Sequence, residues 1–341
     1  MTLLCRYAAA LFVAYLAFPV SAETKWDMPT PYPVSNFHTE NIARFASEVA
    51  TLTGGQLQIT VHANGALYRA NEIKRAVRGG QAQIGEIIIS GAANEDPLFA
   101  LDTIPFLASS YSEAQALWQA SRSKVEERFA RQGLKVLFSV PWPPQGIYAK
   151  VALNSLADVK GMKIRSYSPT VARMIELMGA QPVTVQAADL SQALATGVVS
   201  ANVTSASTGY DAQSWEQLSY YFDVQAWLPK NVVIVNQQQF DGLDRPNREA
   251  LLKAAAAAEL RGWKTSEEKT QWYVEQLKAK KMKVLPAAAE LQKALLGIGE
   301  RMTREWLVQA GADGQQVYDA YRQAVKKSFS NACACAARLW W

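Results

Sequence analysis

The sequence is poor in the residues that most enzymes and metalloproteins use for chemistry. It has two histidines, His38 and His62, among 341 residues, so a serine or cysteine nucleophile would have few bases to pair with. Neither histidine lies in a cluster with metal-ligand spacing. The chain has no GxxxxGK[ST] phosphate loop, and the glycine pairs at Gly54 and Gly79 follow predicted helices instead of opening them. These absences argue against an enzyme, a metal site and a cofactor.

Cysteines and long apolar runs are also scarce. Of three cysteines, Cys5 lies near the start, while Cys333 and Cys335 lie in a C-terminal tail, residues 328–341, to which we assign no role. Two thiols without a nearby histidine make a zinc site improbable. Beyond the N-terminal segment, no stretch approaches the ~20 apolar residues of a membrane span. The net charge is +5, but the basic residues are dispersed, which is untypical of a nucleic-acid surface.

Residues 1–22 have the pattern of a secretory signal peptide. Arg6 supplies the positive charge, residues 8–18 form a short apolar run, and the small residues at 20–22 fit cleavage after Ala22. No cysteine follows the apolar run, so a lipid anchor is not indicated. The sequence therefore predicts an exported, periplasmic protein.

The remaining chain alternates strand and helix patterns. Its length favours two domains, and a content of 49% hydrophobic and 19% charged residues is typical of globular proteins. The order strand, helix, strand, helix, strand near the start predicts a parallel sheet covered on both faces. Ligands bind beyond the carboxyl ends of strands in such sheets, which selects four loops: residues 29–36, 88–92, 140–145 and 165–168.

The centre of the chain combines one arginine with a distinctive order of segments. Residues 157–165 end in Lys-Ile-Arg at Arg165, a helical run follows over residues 170–178, then Gly-Ala-Gln-Pro-Val at 179–183 and Leu-Ala-Thr-Gly-Val-Val at 194–199. A guanidinium matches both oxygens of a carboxylate, so Arg165 is a candidate for capturing an organic acid. The alternative is a structural ion pair with one of the chain's own acidic residues.

This order resembles the solute-binding subunits of TRAP (tripartite ATP-independent periplasmic) transporters, the DctP-type family, over about residues 25–327. The resemblance implies an α/β, two-lobed, periplasmic-binding-protein-like fold with a hinge and a long helix spanning both lobes. It also implies that Arg165 forms a salt bridge with the carboxylate of the solute. Such a protein would capture an organic acid by hinge closure and, as a monomer, deliver it to the permease subunits of the transporter.

The resemblance also suggests lobe limits. Residues 23–145 with 231–270 would form the first lobe, residues 146–230 with 271–327 the second, and the hinge would lie near Gln145, Lys230 and Lys281. Asp244 and Pro246 open a helix-forming run of roughly 35 residues, or about 50 Å, that would brace both lobes. The alternative is two ordinary helices broken at Gly262.

Departures from the family pattern favour a particular ligand class. Members that bind sugar acids carry a second arginine about twenty residues before the first, where this chain has Gln145 and Trp142. They also place a carboxylate where this chain has Ile88. Residues 200–204 lack the acidic residues common at that point in the family. A cleft without these charges favours a monocarboxylate with an apolar or aromatic body, such as a 2-oxo, 2-hydroxy or aromatic acid.

Nine side chains are candidates for contacting that ligand. Arg165 would bind the carboxylate, neutral hydrogen bonds would come from polar residues, and aromatic or aliphatic residues would pack on the ligand body. The full set is Arg165, Gln145, Trp142, Tyr148, Thr204, Tyr210, Trp227, Asn231 and Ile88. The aromatic members could instead be ordinary core residues. Two other functions stay open: a lyase or isomerase that uses Arg165 with a tyrosine or lysine acid, and a sensor that presents its liganded state to a membrane receptor.

Overall fold

The computed structural model describes residues 23–337, with side chains described through Lys327. The predicted signal peptide and the side chains of the C-terminal tail lie outside these residues. The strands are β1 (Thr24–Pro29), β2 (Leu57–His62), β3 (Ile84–Ile88), β4 (Leu134–Pro141), β5 (Gln145–Ala149), β6 (Lys163–Ser166), β7 (Gln181–Thr184), β8 (Ala201–Ser205), β9 (Tyr220–Phe222), β10 (Lys230–Asn236) and β11 (Lys283–Leu285).

Helices connect these strands. They are α1 (Phe37–Leu52), α2 (Ala70–Arg78), α3 (Tyr111–Ala130), α4 (Pro169–Leu177), α5 (Leu190–Ala195), α6 (Ala206–Asp211), α7 (Gln237–Gly242), α8 (Arg245–Ala279) and α9 (Ala289–Ala337). Short 3-10 helices cover Ile89–Ala92, Pro97–Thr103, Leu156–Val159, Ala187–Asp189 and Ser214–Glu216. Across residues 23–337, no helix combines the length and the apolar character needed to cross a membrane.

The first lobe contains strands from two distant parts of the chain. β10 lies between β3 and β4 and runs antiparallel to both. β1 pairs with β2 in parallel, and the Asp27 amide donates to Gln83 Oε1 at 2.9 Å beside β3. The expectation of an entirely parallel sheet is therefore wrong. The physical reason is that β10 returns from the second lobe and enters this sheet from the opposite end.

The second lobe is built on a mixed sheet in the order β11-β9-β5-β8-β6-β7. β6 runs parallel to both β7 and β8, while β5 runs antiparallel to β8 and β9. In this register Arg165 on β6 lies between Val183 on β7 and Asn202 on β8. Arg165 is thereby held one residue before the end of an interior strand.

Two chain segments cross side by side between the lobes. The Trp142 amide donates to the Pro229 carbonyl at 2.8 Å, and the Gln145 amide donates to the Trp227 carbonyl at 3.0 Å. These two segments, residues 141–145 and 226–230, are called the crossover below. The predicted hinge positions Gln145 and Lys230 both lie on it.

α8 is one continuous helix that contacts both lobes. Asp244 caps its start by accepting from the Asn247 amide at 2.8 Å. In the first lobe, Asn41 Nδ2 of α1 donates to the Ala258 carbonyl at 3.0 Å. At the other end Tyr273 lies 5.7 Å, between ring centroids, from Tyr210 on α6. A break at Gly262 does not occur.

Gly262 instead permits a close approach between helix and sheet. A Cβ atom built on it would lie 2.4 Å from Val140 Cγ2 and 2.9 Å from Asn41 Nδ2. Both distances are far below van der Waals contact, so a larger residue would force α8 away from β4. The glycine therefore sets how tightly the helix lies on the first lobe.

α9 also contacts both lobes. Trp306 Nε1 donates to the Pro97 carbonyl at 2.7 Å in the first lobe. Glu305 pairs with Arg173 on α4, in the second lobe, at 3.1 Å. The helix changes direction at Gly311, whose φ of 58° and ψ of −143° are not helical. Of residues 271–327, which we expected in the second lobe, those of α9 thus contact both lobes.

Candidate functional site

A cavity of about 530 Å³ lies between the lobes. All four loops selected from the sequence contribute to its lining, through Tyr32, Ile88, Trp142 with Gln145, and Arg165. Three loops belong to the first lobe or the crossover, and the fourth, with Arg165, belongs to the second lobe. A ligand in this cavity would therefore touch both lobes.

Arg165 is buried but has no acidic partner. Its side chain is 2% exposed, and Nε donates to the Val185 carbonyl at 2.9 Å. Cζ lies 5.2 Å from the centroid of the Tyr167 ring. No acidic side chain among residues 23–327 forms an ion pair with the guanidinium, so the alternative of a structural ion pair does not hold there. Burial lowers the pKa of Arg165 to about 10, which leaves it cationic at neutral pH.

The other charges that line the cavity cancel. Lys74 and Glu95 both contribute to the wall and form an ion pair with each other. The Lys74 ammonium also lies 5.3 Å from the centroid of the Phe99 ring. Arg165 therefore gives the lining a net charge of one positive unit.

Asn231, a predicted ligand contact, lies behind the lining and supports an aromatic wall. Its Oδ1 accepts hydrogen bonds from Trp142 Nε1 at 2.9 Å and from Tyr32 Oη at 3.2 Å. The Trp142 and Tyr32 rings meet edge to face, 4.8 Å apart between centroids. Both rings line the cavity. The amide oxygen thus orients the wall instead of facing the ligand.

Gln145 lines the cavity, but its side-chain amide is already engaged. Nε2 donates to the Pro143 carbonyl at 2.8 Å, and Oε1 accepts from Tyr167 Oη at 3.3 Å. Trp227, predicted to pack on the ligand, lies outside the lining and donates from Nε1 to Tyr167 Oη at 2.9 Å. The Tyr167 hydroxyl is therefore held by one residue from each crossover segment, Gln145 and Trp227.

Of the four remaining predicted residues, two line the cavity and two lie elsewhere. Thr204 lines the cavity together with Ile88. Tyr148 is fully buried elsewhere, where its hydroxyl donates to the Ser205 carbonyl at 3.1 Å. It lies three residues after Gln145 on β5, about 10 Å along the strand, and is not among the lining residues. Tyr210 belongs to a partly exposed aromatic cluster on α6 and α8, 5.3 Å from the Trp272 ring.

Sequence reasoning missed several lining residues. Tyr167 has a recognisable signal, because alternate residues of an extended segment share a face and it lies two residues after Arg165. Tyr32, between Pro31 and Pro33, lay within a selected loop without being singled out. Lys74 and Glu95 have no local signal, since they meet only in the folded chain.

A buried carboxylate supports the same wall from behind. Glu86, 1% exposed on a strand that the sequence presents as almost wholly apolar, accepts from Thr30 Oγ1 at 2.7 Å. Its other oxygen lies 3.4 Å from His38 Nδ1. Burial lowers the pKa of His38, which favours the neutral ring. Among residues 23–327, no group of three or more His, Cys, Asp or Glu side chains is arranged to hold a metal ion.

The fold and the cavity define a class of protein: a two-lobed receptor whose interlobe cavity presents one buried, unpaired arginine. The chain belongs to the bacterial extracellular solute-binding protein family 7, or DctP, whose model matches residues 32–307. It is thus a solute-binding protein of the TRAP transporter type. The family and the related structures are receptors for solutes and not enzymes.

Solved structures share this fold with about half of the sequence identical, and a more distant relative matches in sequence. DctP6, an extracytoplasmic solute receptor of Bordetella pertussis that binds pyroglutamic acid, is 52% identical, with a TM-score of 0.87 over 88% of this chain and 100% of that one. A marine metagenome TRAP solute-binding protein specific for pyroglutamate is 47% identical, with a TM-score of 0.88 over 89% and 99%. The 2,3-diketo-L-gulonate-binding periplasmic protein YiaO of Escherichia coli is 26% identical over 73% of this chain and 78% of that protein.

Proposed function

We propose that the protein binds pyroglutamate or a closely similar cyclic monocarboxylate between its lobes and delivers it to the membrane subunits of a TRAP transporter. The observation that carries this proposal is the buried guanidinium of Arg165, which lines the cavity without an acidic partner. An arginine fork binds a carboxylate through two parallel hydrogen bonds. The sequence similarity to two pyroglutamate receptors supports the choice of ligand.

The charge balance of the lining favours a monoanion. Lys74 and Glu95 pair with each other, so a ligand with one carboxylate neutralises the remaining positive charge, that of Arg165. A second carboxylate would be desolvated without a cationic partner, which is costly in a closed cavity. We therefore expect dicarboxylates and sugar diacids to bind weakly.

The neutral part of the lining suits a small ring with one amide. Pyroglutamate carries a lactam N–H donor and a lactam carbonyl acceptor. Thr204 can donate or accept, and in the described part of the chain its side chain forms no hydrogen bond within the protein. The Trp142 and Tyr32 rings, which meet edge to face, provide an apolar corner for the ring carbons. Small 2-oxo, 2-hydroxy and aromatic acids have the same charge, so they are the competitors to test.

Binding can be measured on the exported chain after bound ligand has been removed by unfolding and refolding. We expect L-pyroglutamate to raise the melting temperature and to bind more tightly than pyruvate, lactate, benzoate, succinate, galactonate or a neutral sugar. Arg165→Ala should weaken pyroglutamate binding by about 2–5 kcal/mol, or more than tenfold. Calorimetric titration measures this loss directly.

Arg173→Ala is the matched control, because Arg173 pairs with Glu305 outside this cavity. We expect its pyroglutamate affinity to equal that of the wild type. Stabilisation by neutral sugars alone, or pyroglutamate binding that survives Arg165→Ala, would overturn the proposal. If a 2-oxo or aromatic acid binds more tightly than pyroglutamate, the proposed ligand is wrong but the proposed carboxylate site stands.

Location, lobe limits and closure form part of the same proposal. We infer that residues 1–22 direct export to the periplasm and are removed after Ala22, so the mass of the exported protein should correspond to a chain that begins at Glu23. The lobes, at the limits given above, would close about the crossover. Small-angle X-ray scattering should then show a smaller radius of gyration with pyroglutamate than without it.

A further inference from the structure

The Arg165 guanidinium is held by contacts that leave its charge uncompensated. Nε donates to the Val185 carbonyl at 2.9 Å, and the Tyr167 ring lies 5.2 Å below Cζ. A carboxylate could fix the guanidinium equally well, but it would compete with the ligand for the same nitrogens. A carbonyl and an aromatic face avoid that competition, because neither carries a formal charge.

Tyr167 is itself held by two hydrogen bonds. Its hydroxyl accepts from Trp227 Nε1 at 2.9 Å and donates to Gln145 Oε1 at 3.3 Å. Gln145 is fixed in turn, since its Nε2 donates to the Pro143 carbonyl at 2.8 Å. Burial raises the pKa of Tyr167, so the hydroxyl keeps the proton that it donates. The ring therefore has a fixed position between the crossover and the guanidinium.

We propose that Tyr167 is a positioning residue that orients the Arg165 guanidinium for carboxylate binding without neutralising it. This rests on the proposed role of Arg165 as the carboxylate ligand. The aromatic face supplies the orientation, and the hydroxyl fixes the face through Trp227 and Gln145. A guanidinium already held over the ring loses less conformational freedom when the carboxylate binds.

The first test needs no ligand. The Nε–H signal of Arg165 can be identified in a proton–nitrogen NMR spectrum of the unliganded protein by its absence in Arg165→Lys. In Tyr167→Leu we expect this signal to shift, because the ring current is lost, and to exchange with water about tenfold faster. Tyr167→Phe keeps the ring, so its signal should stay close to that of the wild type. An unchanged shift and exchange rate in Tyr167→Leu would overturn the proposal.

The second test is a double-mutant cycle on pyroglutamate affinity. Tyr167→Leu should weaken binding about tenfold, and Tyr167→Phe less than about threefold. In the Arg165→Lys background, Tyr167→Leu should change affinity less than about twofold, since a lysine cannot stack as a guanidinium does. An equal loss in both backgrounds would mean that Tyr167 acts only through general packing, which contradicts the proposal.

Tyr220→Leu is the control substitution. Tyr220 also lies under a cation, with Lys283 Nζ 5.0 Å from its ring centroid, but at the β9–β11 end of the sheet. We expect unchanged pyroglutamate affinity and an unchanged Arg165 signal. If wild-type protein fails to bind pyroglutamate, the proposed ligand is wrong, while the ligand-free NMR comparison still decides the role of Tyr167.

Discussion

At the scale of single residues, side-chain amides support the walls of the cavity. Asn231 and Gln145 both lie where the sequence suggests a polar ligand contact. The Asn231 amide oxygen accepts hydrogen bonds from Trp142 and Tyr32. The Gln145 amide donates to the Pro143 carbonyl and accepts from Tyr167. Most buried polar groups form hydrogen bonds within the protein, as the Asn231 amide oxygen and the Gln145 amide do here. The cavity is therefore shaped by groups one layer behind its surface.

Replacing Asn231 should disorder the aromatic wall. Asn231→Ala leaves Trp142 Nε1 and Tyr32 Oη without their acceptor, and burying two unpaired donors should lower the free energy of unfolding by about 2–4 kcal/mol. Urea unfolding followed by circular dichroism measures this loss. Asn94→Ala is the control, because Asn94 lies on the exposed rim of the same cavity. Equal stability of the two variants would contradict the role given to Asn231.

Titration of Asp211 should make the free energy of unfolding depend on pH. Asp211 accepts from Asn36 Nδ2 at 2.6 Å, across the lobes, and burial raises the pKa of Asp211 to about 6, with Glu40 adding to the rise and Lys269 opposing it. In the unfolded chain an aspartate titrates near 4. The native state therefore holds this proton more tightly, and its contribution to stability is present below pH ~4 and lost as pH rises to ~6.

Asp211→Asn should remove that dependence while keeping an acceptor for Asn36. We expect the variant to exceed the wild type in unfolding free energy by about 1–2 kcal/mol at pH 7.5, and to match it at pH 4. Urea titrations at both pH values measure the difference. A constant difference at the two pH values would exclude Asp211 as its source.

The sequence singles out Arg165, the proposed carboxylate ligand, but not the residues that support it. Arg165 could be predicted because its segment order and its chemistry agree. Tyr167 lies two residues away and could have been found from strand alternation. The engagement of Asn231 with Trp142 could not, because these residues are 89 positions apart and meet only through the pairing of β10 with β4.

At the scale of elements, local signals set the helices and long-range pairing sets the sheets. α2 covers the predicted residues 70–78 and ends before Gly79, and α8 starts after the predicted Asp244 cap. Caps and glycine stops act within a few residues, so a single sequence shows them. The insertion of β10 between β3 and β4 depends on residues roughly 90 to 150 positions apart. No local pattern specifies that pairing.

Gly262 offers a test of the contact between α8 and β4. Alanine is the better helix former by up to about 1 kcal/mol, but its Cβ would clash with Val140. Overpacking should dominate, so Gly262→Ala should destabilise the protein by about 1–3 kcal/mol. Adding Val140→Ala should recover part of the loss. Thermal and urea unfolding measure both effects.

Gly297 is the matched control on α9. A Cβ at Gly297 would meet nothing within 4 Å, so Gly297→Ala should be neutral or stabilising by up to about 1 kcal/mol. Similar effects at the two glycines would show that helix propensity, and not the approach to β4, decides the outcome at Gly262.

At the scale of the whole molecule, an ion pair joins the lobes at the edge of the cavity. Arg69 precedes α2 in the first lobe, and its Nη2 contacts both oxygens of Asp189 in the second, at 2.7 and 2.8 Å. Neighbouring residues on each side, Asn71 and Gln186, line the cavity. This contact can exist only while the lobes are close together.

Arg69→Gln should therefore speed ligand release more than it affects unfolding. We expect the pyroglutamate dissociation rate to rise about threefold at low salt, and the difference from wild type to shrink at 1 M NaCl, where exposed charges are screened. Stopped-flow measurement of tryptophan fluorescence gives the rate. Arg245→Gln, which removes an exposed pair with Glu249 on α8, should leave it unchanged. A salt-independent rate change would rule out the ion pair as its cause.

The position of β10 affects when the protein can fold during its synthesis. The middle strand of the first sheet comes from residues 230–236, far behind the two strands that it joins. A chain that emerges from its N-terminus cannot complete this sheet until most of its length has appeared. Contacts between such distant residues also form slowly. Until residues 230–236 have emerged, the first lobe therefore lacks its middle strand, and the growing chain cannot reach its final fold.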